Sequence, residues 1–290
     1  MLFELIVNGV TMGCIYALIA LGYSMVYGIL QIINFAHGDI FMLGTFIALT
    51  LINVFKFSFV QALVVSMSVT AVVGIIIERL AYRPLRLSDR LAPLLSALGV
   101  SIFLANFAQL LWGSETHGFP QLLPLGEIQI GGVVVSALQL IIIALSVALM
   151  LCLYYVVQCS TWGIAMRAVS YNMQYARLMG INVDRVISIT FAVGSAMAAA
   201  AGIFVGVYYD AVFPTMGYSA GLKAFTAAVL GGIGSVPGAM LGGIILGVAE
   251  NLGAAYLASG FRDAIAFGIL VMILLVKPTG LLGKIHQNKV

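Results

Sequence analysis

Apolar runs of about 20 residues alternate with short polar segments along almost the whole chain. At about 1.5 Å of rise per residue, a helix of that length crosses a hydrocarbon core about 30 Å thick. The pattern therefore predicts an all-α fold, a polytopic transmembrane helical bundle with about eight spans and one broken or re-entrant half-helix. The predicted spans are 5–30, 38–54, 59–79, 93–113, 137–158, 186–209, 238–258 and 262–277, and the shorter apolar piece is 221–231.

The composition supports this class. The chain is 62% hydrophobic and 8% charged, with a mean hydropathy of +1.14, which excludes an ordinary soluble domain. The spans occupy nearly all of the length, so we expect residues 1–290 to form a single transmembrane domain. The first run has Glu4 at its front and no basic segment before it, so we expect a retained span and not a cleaved signal.

A polar, arginine-bearing island at 159–186 separates two of the predicted spans. If this island is cytoplasmic, the order of the loops places ten of the 13 Lys and Arg residues on the same side, as the positive-inside rule expects. The N-terminus then lies outside and the C-terminus inside, provided that 221–231 enters from the outer side without crossing. The ten are Arg79, Arg83, Arg86, Arg90, Arg167, Arg177, Arg185, Lys277, Lys284 and Lys289.

Two segments interrupt the apolar pattern with polar residues, glycine and proline. The pattern in residues 221–243 predicts a half-helix, a break and the start of another helix, with Gly231, Gly234 and Gly238 around the break. Residues 28–39 show a similar interruption. Non-helical backbone at membrane depth survives only where protein or water surrounds it, so both breaks point to the bundle interior and to a transport pathway. The candidate pathway residues of the first interruption are Gln31, Asn34, His37 and Asp39.

Ionisable residues in or near spans are costly and often functional. Asp39 either caps the helix that starts near Gly38 at the cytoplasmic interface or, with His37, flanks a conduit; both interpretations stay open. Glu250, followed by Asn251, must face the bundle. It is expected to meet either an Asn or Tyr of a neighbouring helix or the substrate itself.

Glu78 and Arg79 end a span on the predicted cytoplasmic side. We interpret them as a solvated interfacial ion pair. Glycines spaced four apart predict close helix packing. These pairs are Gly9/Gly13, Gly202/Gly206, Gly238/Gly242 and Gly243/Gly247.

The sequence lacks common motifs for nucleotide binding, metal binding and nucleophilic catalysis. The sequence has no phosphate-binding P-loop, no zinc-binding H-E-x-x-H and no nucleophile elbow, so we expect no catalytic residue and no metal site. If transport is pumped, the energy must come from an ion gradient or from another subunit.

The island contains the spacing Ala176-x-x-x-Gly180-Ile181, which predicts a short helix ended by glycine in a loop that could dock on a partner. Here the chain resembles permease subunits of bacterial branched-chain amino-acid ABC importers, and the resemblance extends in order over nearly the whole chain. The segments that carry it are NGVTMGCIYALIALGYSMVYGILQIINFAHGDIFMLG at 8–44, YRPLR at 82–86, RAVSYNMQYARLMGINVDRVISITFAVGSAMAAAAG at 167–202, PTMGYSAGLKAFTAAVLGGIGSVPGAMLGG at 214–243 and KPTGLLGK at 277–284.

The resemblance implies an ATP-driven importer of the bacterial inner membrane that has two permeases, two cytoplasmic ATPases and a periplasmic binding protein for leucine, isoleucine or valine. This chain would be one permease, paired with a homologous second one. It would bind no cofactor, because ATP and Mg would bind to the ATPases. The implied ATPase-coupling residues are Arg167, Gln174, Ala176, Gly180 and Ile181. We expect the residues of the two breaks, with Glu250 and Asn251, to line or gate the pathway.

One residue departs from the family pattern. The acidic residue at the start of the coupling motif is replaced by Gln174, which puts a salt bridge at that point in doubt. Related permeases serve urea, amides or other small solutes, and the sequence does not separate these substrates. An ion-coupled secondary transporter and a passive solute channel would share the composition and the broken segments, and these alternatives stay open.

Overall fold

The computed structural model describes residues 2–86, 88–89, 91–120, 126–130 and 133–283. Within these residues the chain forms eleven α-helices and two short antiparallel strand pairs. The helices are α1 (Leu2–Leu30), α2 (His37–Asn53), α3 (Phe59–Ile77), α4 (Leu91–Trp112), α5 (Ala137–Cys159), α6 (Thr161–Tyr171), α7 (Met173–Leu178), α8 (Val183–Tyr209), α9 (Met216–Gly231), α10 (Val236–Tyr256) and α11 (Arg262–Val276). Arg90, Lys284 and Lys289, used above for the topology, lie outside the described residues.

The strands lie in the connections. β1 (His117–Gly118) pairs with β4 (Ala211–Val212), and β2 (Glu127–Ile130) pairs with β3 (Val133–Ser136). The pair β1–β4 ties the segment after α4 to the end of α8. These strands therefore close one end of a protein that is otherwise helical.

The spans agree with the sequence pattern. Seven helices in the described part of the chain are long and apolar enough to cross a membrane, and α2, with 17 residues, is a shorter apolar helix. The predicted half-helix also forms, but it begins at Met216, five residues earlier than predicted. With 16 residues, α9 would be about 24 Å long, which is less than a full span. A polytopic helical membrane protein is confirmed.

α1 and α8 form the centre of the bundle. In their most apolar windows, 67% of the residues of α1 and 78% of those of α8 are buried, against 17% in α4 and 6% in α11. The outer helices therefore present apolar side chains that no other described residue covers, as expected for surfaces in lipid or against a neighbouring subunit.

Close helix contacts depend on the predicted glycine pairs. A Cβ on Gly13 would lie 2.7 Å from the Cα atom of Ile244, and one on Gly9 would lie 2.8 Å from that of Val248. α1 and α10 are therefore antiparallel and in backbone contact. Gly202 and Gly206 face α2 in the same way, and Gly238 and Gly242 face α9. The prediction of a tightly packed bundle is confirmed.

Candidate functional site

Two short helices, α6 and α7, form the polar island. Asn172 begins α7, because its side-chain oxygen accepts hydrogen bonds from the backbone N–H groups of Gln174 at 2.8 Å and Tyr175 at 3.1 Å. Ser160 caps α6 similarly by accepting from the N–H of Gly163. Side-chain caps at both helices give this loop a defined conformation outside the spans.

Glycine ends α7 as the sequence predicts. Gly180 has a φ of 81°, its N–H donates to the Arg177 carbonyl, and the N–H of Ile181 donates to the Ala176 carbonyl at 3.0 Å. This pair of bonds is the Schellman arrangement, which requires a left-handed residue at the position of Gly180. A side chain there would meet no neighbour within 4 Å, so the constraint is conformational and not steric.

The predicted coupling residues have different environments. Ala176 is buried and Ile181 packs against the core, so both hold α7 on the bundle. Arg167 donates to the carbonyl of Val157 at the end of α5 and therefore anchors α6. Gln174 is exposed.

Sequence reasoning missed the large apolar and aromatic side chains that α7 and its flanks expose. Between 66% and 87% of each of these side chains is accessible, an amphipathic signal that a helical reading of 171–179 could have found. They are Tyr171, Tyr175, Leu178 and Met179. An apolar group of this kind on a polar loop indicates a contact surface.

A charge network, buried at Glu78 and more exposed at Asp184, includes the start of α8, where Asp184 lies five residues after Met179. Arg86 binds Asp184, in the first turn of α8, at 2.6 Å and also pairs with Glu78, and Ser188 donates to the other oxygen of Glu78 at 2.6 Å. Arg83 binds Asp184 from the more exposed side at 2.5 Å. The network therefore joins the end of α3 to the start of α8, immediately after the polar island.

The interpretation of Glu78 and Arg79 as a solvated pair is wrong. Glu78 is fully buried and its partners are Arg86 and Ser188, whereas Arg79 points outward and is exposed. α3 continues as a π-helix at Glu78–Tyr82 and a 3₁₀ turn at Arg83–Leu85. Glu78 is buried at helical spacing with Thr70, Gly74 and Ile77, so it continues the buried face of α3. Its partner Arg86 follows the π-helix and the 3₁₀ turn, which the apolar spacing could not predict.

The first break follows α1. Gln31 adopts a left-handed φ of 53° and is exposed, residues 31–34 have no regular secondary structure, and residues 35 and 36 form a turn before α2 begins. Asn34, in the middle of this segment, is buried and accepts a hydrogen bond of 2.7 Å from the Tyr82 hydroxyl. The break is therefore tied to the π-helical end of α3.

His37 and Asp39 lie in the first turn of α2, inside the bundle. The His37 ring packs on Gly22, eight residues before the end of α1, and against the Tyr23 ring at a centroid distance of 4.7 Å. The N-cap is Ala36, without a side-chain bond, and Asp39 is buried, so a cap by Asp39 at the cytoplasmic interface is wrong. Residues 31–36 carry the chain back along α1 before α2 starts, which places His37 and Asp39 further inside the bundle than their position between spans suggests.

The second break connects α9 to α10. Gly232 and Gly234 have φ values of 106° and 89°, and Ser235 caps α10 by accepting from the N–H of Gly238 at 3.2 Å. Gly231 and Gly238 are in backbone contact across the turn. The half-helix, break and helix predicted for 221–243 are confirmed.

The C-terminal segment completes this turn. The N–H groups of Leu281 and Leu282 donate to the carbonyls of Leu230 and Gly231, both at 2.9 Å. These carbonyls belong to the last turn of α9, which has no intrahelical donor for them. The segment KPTGLLG, found in the sequence only through its resemblance, therefore caps α9 from 50 residues further along the chain.

Glu250 is paired with a residue that the sequence analysis did not assign to it. Lys223 of α9 binds Glu250 at 2.6 Å and Asp263 of α11 at 2.9 Å, so one ammonium joins three helices. The Tyr16 hydroxyl also faces Glu250. Asn251 donates to the Leu5 carbonyl at 2.7 Å.

A cavity of about 100 Å³ opens beside this ion pair. It lies between α1, the end of α8, α10 and the start of α11. Its lining residues are Asn8, Met12, Tyr16, Tyr208, Tyr209, Gly247, Glu250, Asn251 and Arg262.

The candidate pathway residues thus fall into three groups. Gln31, Asn34, His37 and Asp39 lie in the connection from α1 to α2 and in the first turn of α2. Gly231, Gly234 and Gly238 form the second break, where Gly234 lies against Gly28 of α1, and Glu250 and Asn251 line the cavity near the other end of α1. In the part of the chain covered by the structure, no group of three His, Cys, Asp or Glu residues could hold a metal ion.

Comparisons with known proteins identify relatives of this chain. Residues 5–276 match the family model described as branched-chain amino acid transport system, permease component. The chain is 46% identical over 297 residues to the high-affinity branched-chain amino acid transport system permease protein BraD of Pseudomonas aeruginosa, covering 98% of this chain and 97% of that protein. It is 45% identical over 295 residues to LivH of Escherichia coli K12, with 98% and 96% covered. Among solved structures, PsaBC from Streptococcus pneumoniae in complex with Fab matches with a TM-score of 0.47 and 14% identity, covering 94% of this chain and 91% of that one.

Proposed function

The chain belongs to the family of branched-chain amino acid transport permease components, and we propose that it is the membrane-spanning permease subunit of an ATP-driven importer. It would pass leucine, isoleucine or valine, delivered by a periplasmic binding protein, into the cytoplasm. The relatives are transport permeases and not enzymes, and ATP with Mg would bind to separate ATPase subunits.

The observation that carries this proposal is the exposed surface on α7. Leu178 and Met179 are more than four-fifths accessible, although they are apolar and belong to a loop whose conformation is held by caps at Asn172 and Gly180. Exposed apolar side chains on a rigid helix suit a groove in a protein partner. We assign that partner as the ATPase of the importer, because a permease of an ABC transporter requires one.

The charge network supplies a route from this surface to the spans. α7 leads through Gly180 to α8, where Asp184 is fixed to Arg86 and through it to Glu78 of the α3 extension. A displacement of α7 by the ATPase would therefore move the start of α8 and the end of α3 together. Tyr82 and Asn34 extend the same connection to the first break.

The remaining assignments follow from the same proposal. The end of the bundle that carries α6 and α7 would face the cytoplasm of a bacterium. The N-terminus would lie on the outer side of the inner membrane and the C-terminus on the cytoplasmic side. A second, homologous permease would cover part of the apolar surface of the outer helices. The two breaks and the cavity near Glu250 would line or gate the substrate path, and the chain would bind no cofactor of its own.

Reconstitution tests the proposal. The chain is assembled with the two ATPases, the second permease and the binding protein in proteoliposomes, and uptake of radiolabelled leucine is measured with and without ATP inside. We expect uptake that needs ATP and the binding protein. Uptake that needs neither and follows an ion gradient would indicate a secondary transporter, and passive equilibration would indicate a channel.

A further inference from the structure

Two buried polar atoms at the cavity beside Glu250 have no hydrogen-bond partner among the described residues: one is an acceptor and the other is a donor. Oε1 of Glu250 binds Lys223, but Oε2 has no hydrogen-bond partner, and neither does Nε of Arg262, among the residues described. Both residues line the cavity. Glu250 is 5% exposed, and a buried acceptor left unbonded loses its hydrogen bonds to water without replacement, which destabilises the fold. The unbonded Glu250 and Arg262 atoms therefore indicate that a ligand binds in this cavity.

The two atoms require complementary groups. The carboxylate oxygen accepts hydrogen bonds and attracts a cation, whereas the Nε–H of a guanidinium donates and attracts an anion. One small molecule that carries both groups is an amino-acid zwitterion. Tyrosine rings in the same lining offer faces for the ammonium.

The cavity also has a suitable size and place. Its volume of about 100 Å³ is several times the roughly 10–15 Å³ needed to hold one water, so the cavity has room for a small molecule. Met12 and Gly247 give part of the lining an apolar character. Tyr208 and Tyr209 end α8, whose first residue follows the polar island, so the cavity lies at the opposite end of a 27-residue helix.

We propose that this cavity is a binding site for the amino-acid zwitterion at the entrance of the path, with Glu250 holding the ammonium and Arg262 the carboxylate. The proposal rests on the proposed function, because that function supplies the amino acid. Lys223 has a positioning role: it holds Glu250 by one oxygen and directs the other into the cavity. The aliphatic side chain lies against Met12 and Gly247.

Photolabelling tests the site. The reconstituted importer is illuminated in the presence of a diazirine analogue of leucine, and the adducts are mapped by peptide mass spectrometry. We expect adducts on peptides that contain Met12 and Tyr16 or Gly247. Adducts confined to other segments, or none in the chain while leucine uptake proceeds, would overturn the proposal.

Variants separate binding from structure. Glu250→Gln keeps the size of the side chain, whereas Arg262→Gln shortens it and removes the guanidinium. Both are expected to lower labelling and leucine uptake by roughly tenfold or more, since each removes a charged hydrogen bond. Asp263→Asn is the matched control, because Asp263 shares Lys223 but does not line the cavity; its uptake should stay within about twofold of the wild type. Assembly with the ATPases and the thermal unfolding midpoint are measured for each variant.

The outcomes are distinct for the two proposals. Wild-type labelling and uptake in both Gln variants would mean that only water fills the cavity, and would overturn the site. If either variant fails to assemble, the positions of the adducts in the wild-type chain test the site: adducts at Met12 and Tyr16 or at Gly247 support it, and adducts confined to other segments overturn it. Labelling of the cavity in a complex that takes up no leucine would contradict the proposed function and leave the site standing.

Discussion

Arg86 binds Asp184 at 2.6 Å across 98 residues of sequence, and the same guanidinium pairs with the fully buried Glu78. One side chain thus joins the end of α3 to the first turn of α8, next to the surface assigned to the ATPase. The network is buried at Glu78 and open to solvent at Asp184. We therefore expect Arg86, which pairs with Glu78, to contribute more to stability than Arg83, which binds only Asp184.

Replacing Arg86 is expected to destabilise the protein strongly. Arg86→Gln leaves the Glu78 carboxylate buried without its cation, which should lower the free energy of unfolding by about 3–5 kcal/mol. Thermal unfolding of the purified chain in detergent measures this change. Arg83→Gln is the control: the Arg83 side chain is 47% exposed, so its loss should cost no more than about 1 kcal/mol. Equal losses in the two variants would contradict the network as described.

Gly180 is expected to be essential for coupling. Gly180→Val puts a β-branched residue at a φ of 81°, which costs about 1–2 kcal/mol or more and should unwind the end of α7. We expect leucine uptake and the stimulation of ATP hydrolysis by the binding protein to be lost in the assembled complex. Gly99→Val serves as control, since a Cβ on Gly99 also meets nothing within 4 Å but needs no left-handed conformation. Wild-type transport by Gly180→Val would rule out this role.

The apolar surface on α7 should be needed for ATPase binding but not for folding. Leu178→Asp is expected to weaken capture of the ATPase by roughly tenfold or more, since it puts a charge into a contact that buries apolar area. Its unfolding midpoint should change little, because Leu178 is 81% exposed. Phe55→Asp, an equally drastic change in the loop after α2, should leave capture unaffected. The assignment fails if both variants bind the ATPase normally.

The glycine contact between α1 and α10 should tolerate no side chain. A Cβ on Gly243 would lie 2.5 Å from the Cα and N atoms of Ala17, and backbone atoms cannot move aside. Gly243→Val is therefore expected to lower the free energy of unfolding by about 1–3 kcal/mol or more. Gly268→Val in α11, where a Cβ meets nothing within 4 Å, should be close to neutral. Unfolding in detergent compares the two, and similar midpoints would show that α1 and α10 are less closely packed.

The hydrogen bond from Tyr82 to Asn34 should stabilise the first break. Tyr82→Phe removes the donor and leaves the buried Oδ1 of Asn34 unsatisfied, at a cost of about 1–3 kcal/mol. In a chain that already carries Asn34→Ala, the same substitution should cost little. A double-mutant cycle measures the difference, and additive effects would mean that the bond contributes nothing.

Several features followed from the sequence alone. The class, the spans and both breaks were predicted because lipid cannot bond to free backbone groups, so apolar runs of sufficient length must be helical and breaks must lie inside protein. The end of α7 at Gly180 was predicted because a left-handed residue after a short helix is a local requirement of the backbone. These properties depend on residues that are near each other in the chain.

Only the tertiary structure decided which side chains meet. Glu78 finds Arg86 and Ser188 and not the adjacent Arg79, Glu250 finds Lys223 of another helix, and the C-terminal segment caps α9. The rotation of a helix about its axis, including the π-turn after α3, sets these partners, and apolar spacing in helices that are hydrophobic on nearly all sides does not specify that rotation. The sequence by itself determined which segments are helical and where the two breaks lie, because apolar length and turn residues are local properties. The packing of the helices determined the ion pairs, the depth of His37 and the cavity, because these depend on residues that only the folded bundle brings together.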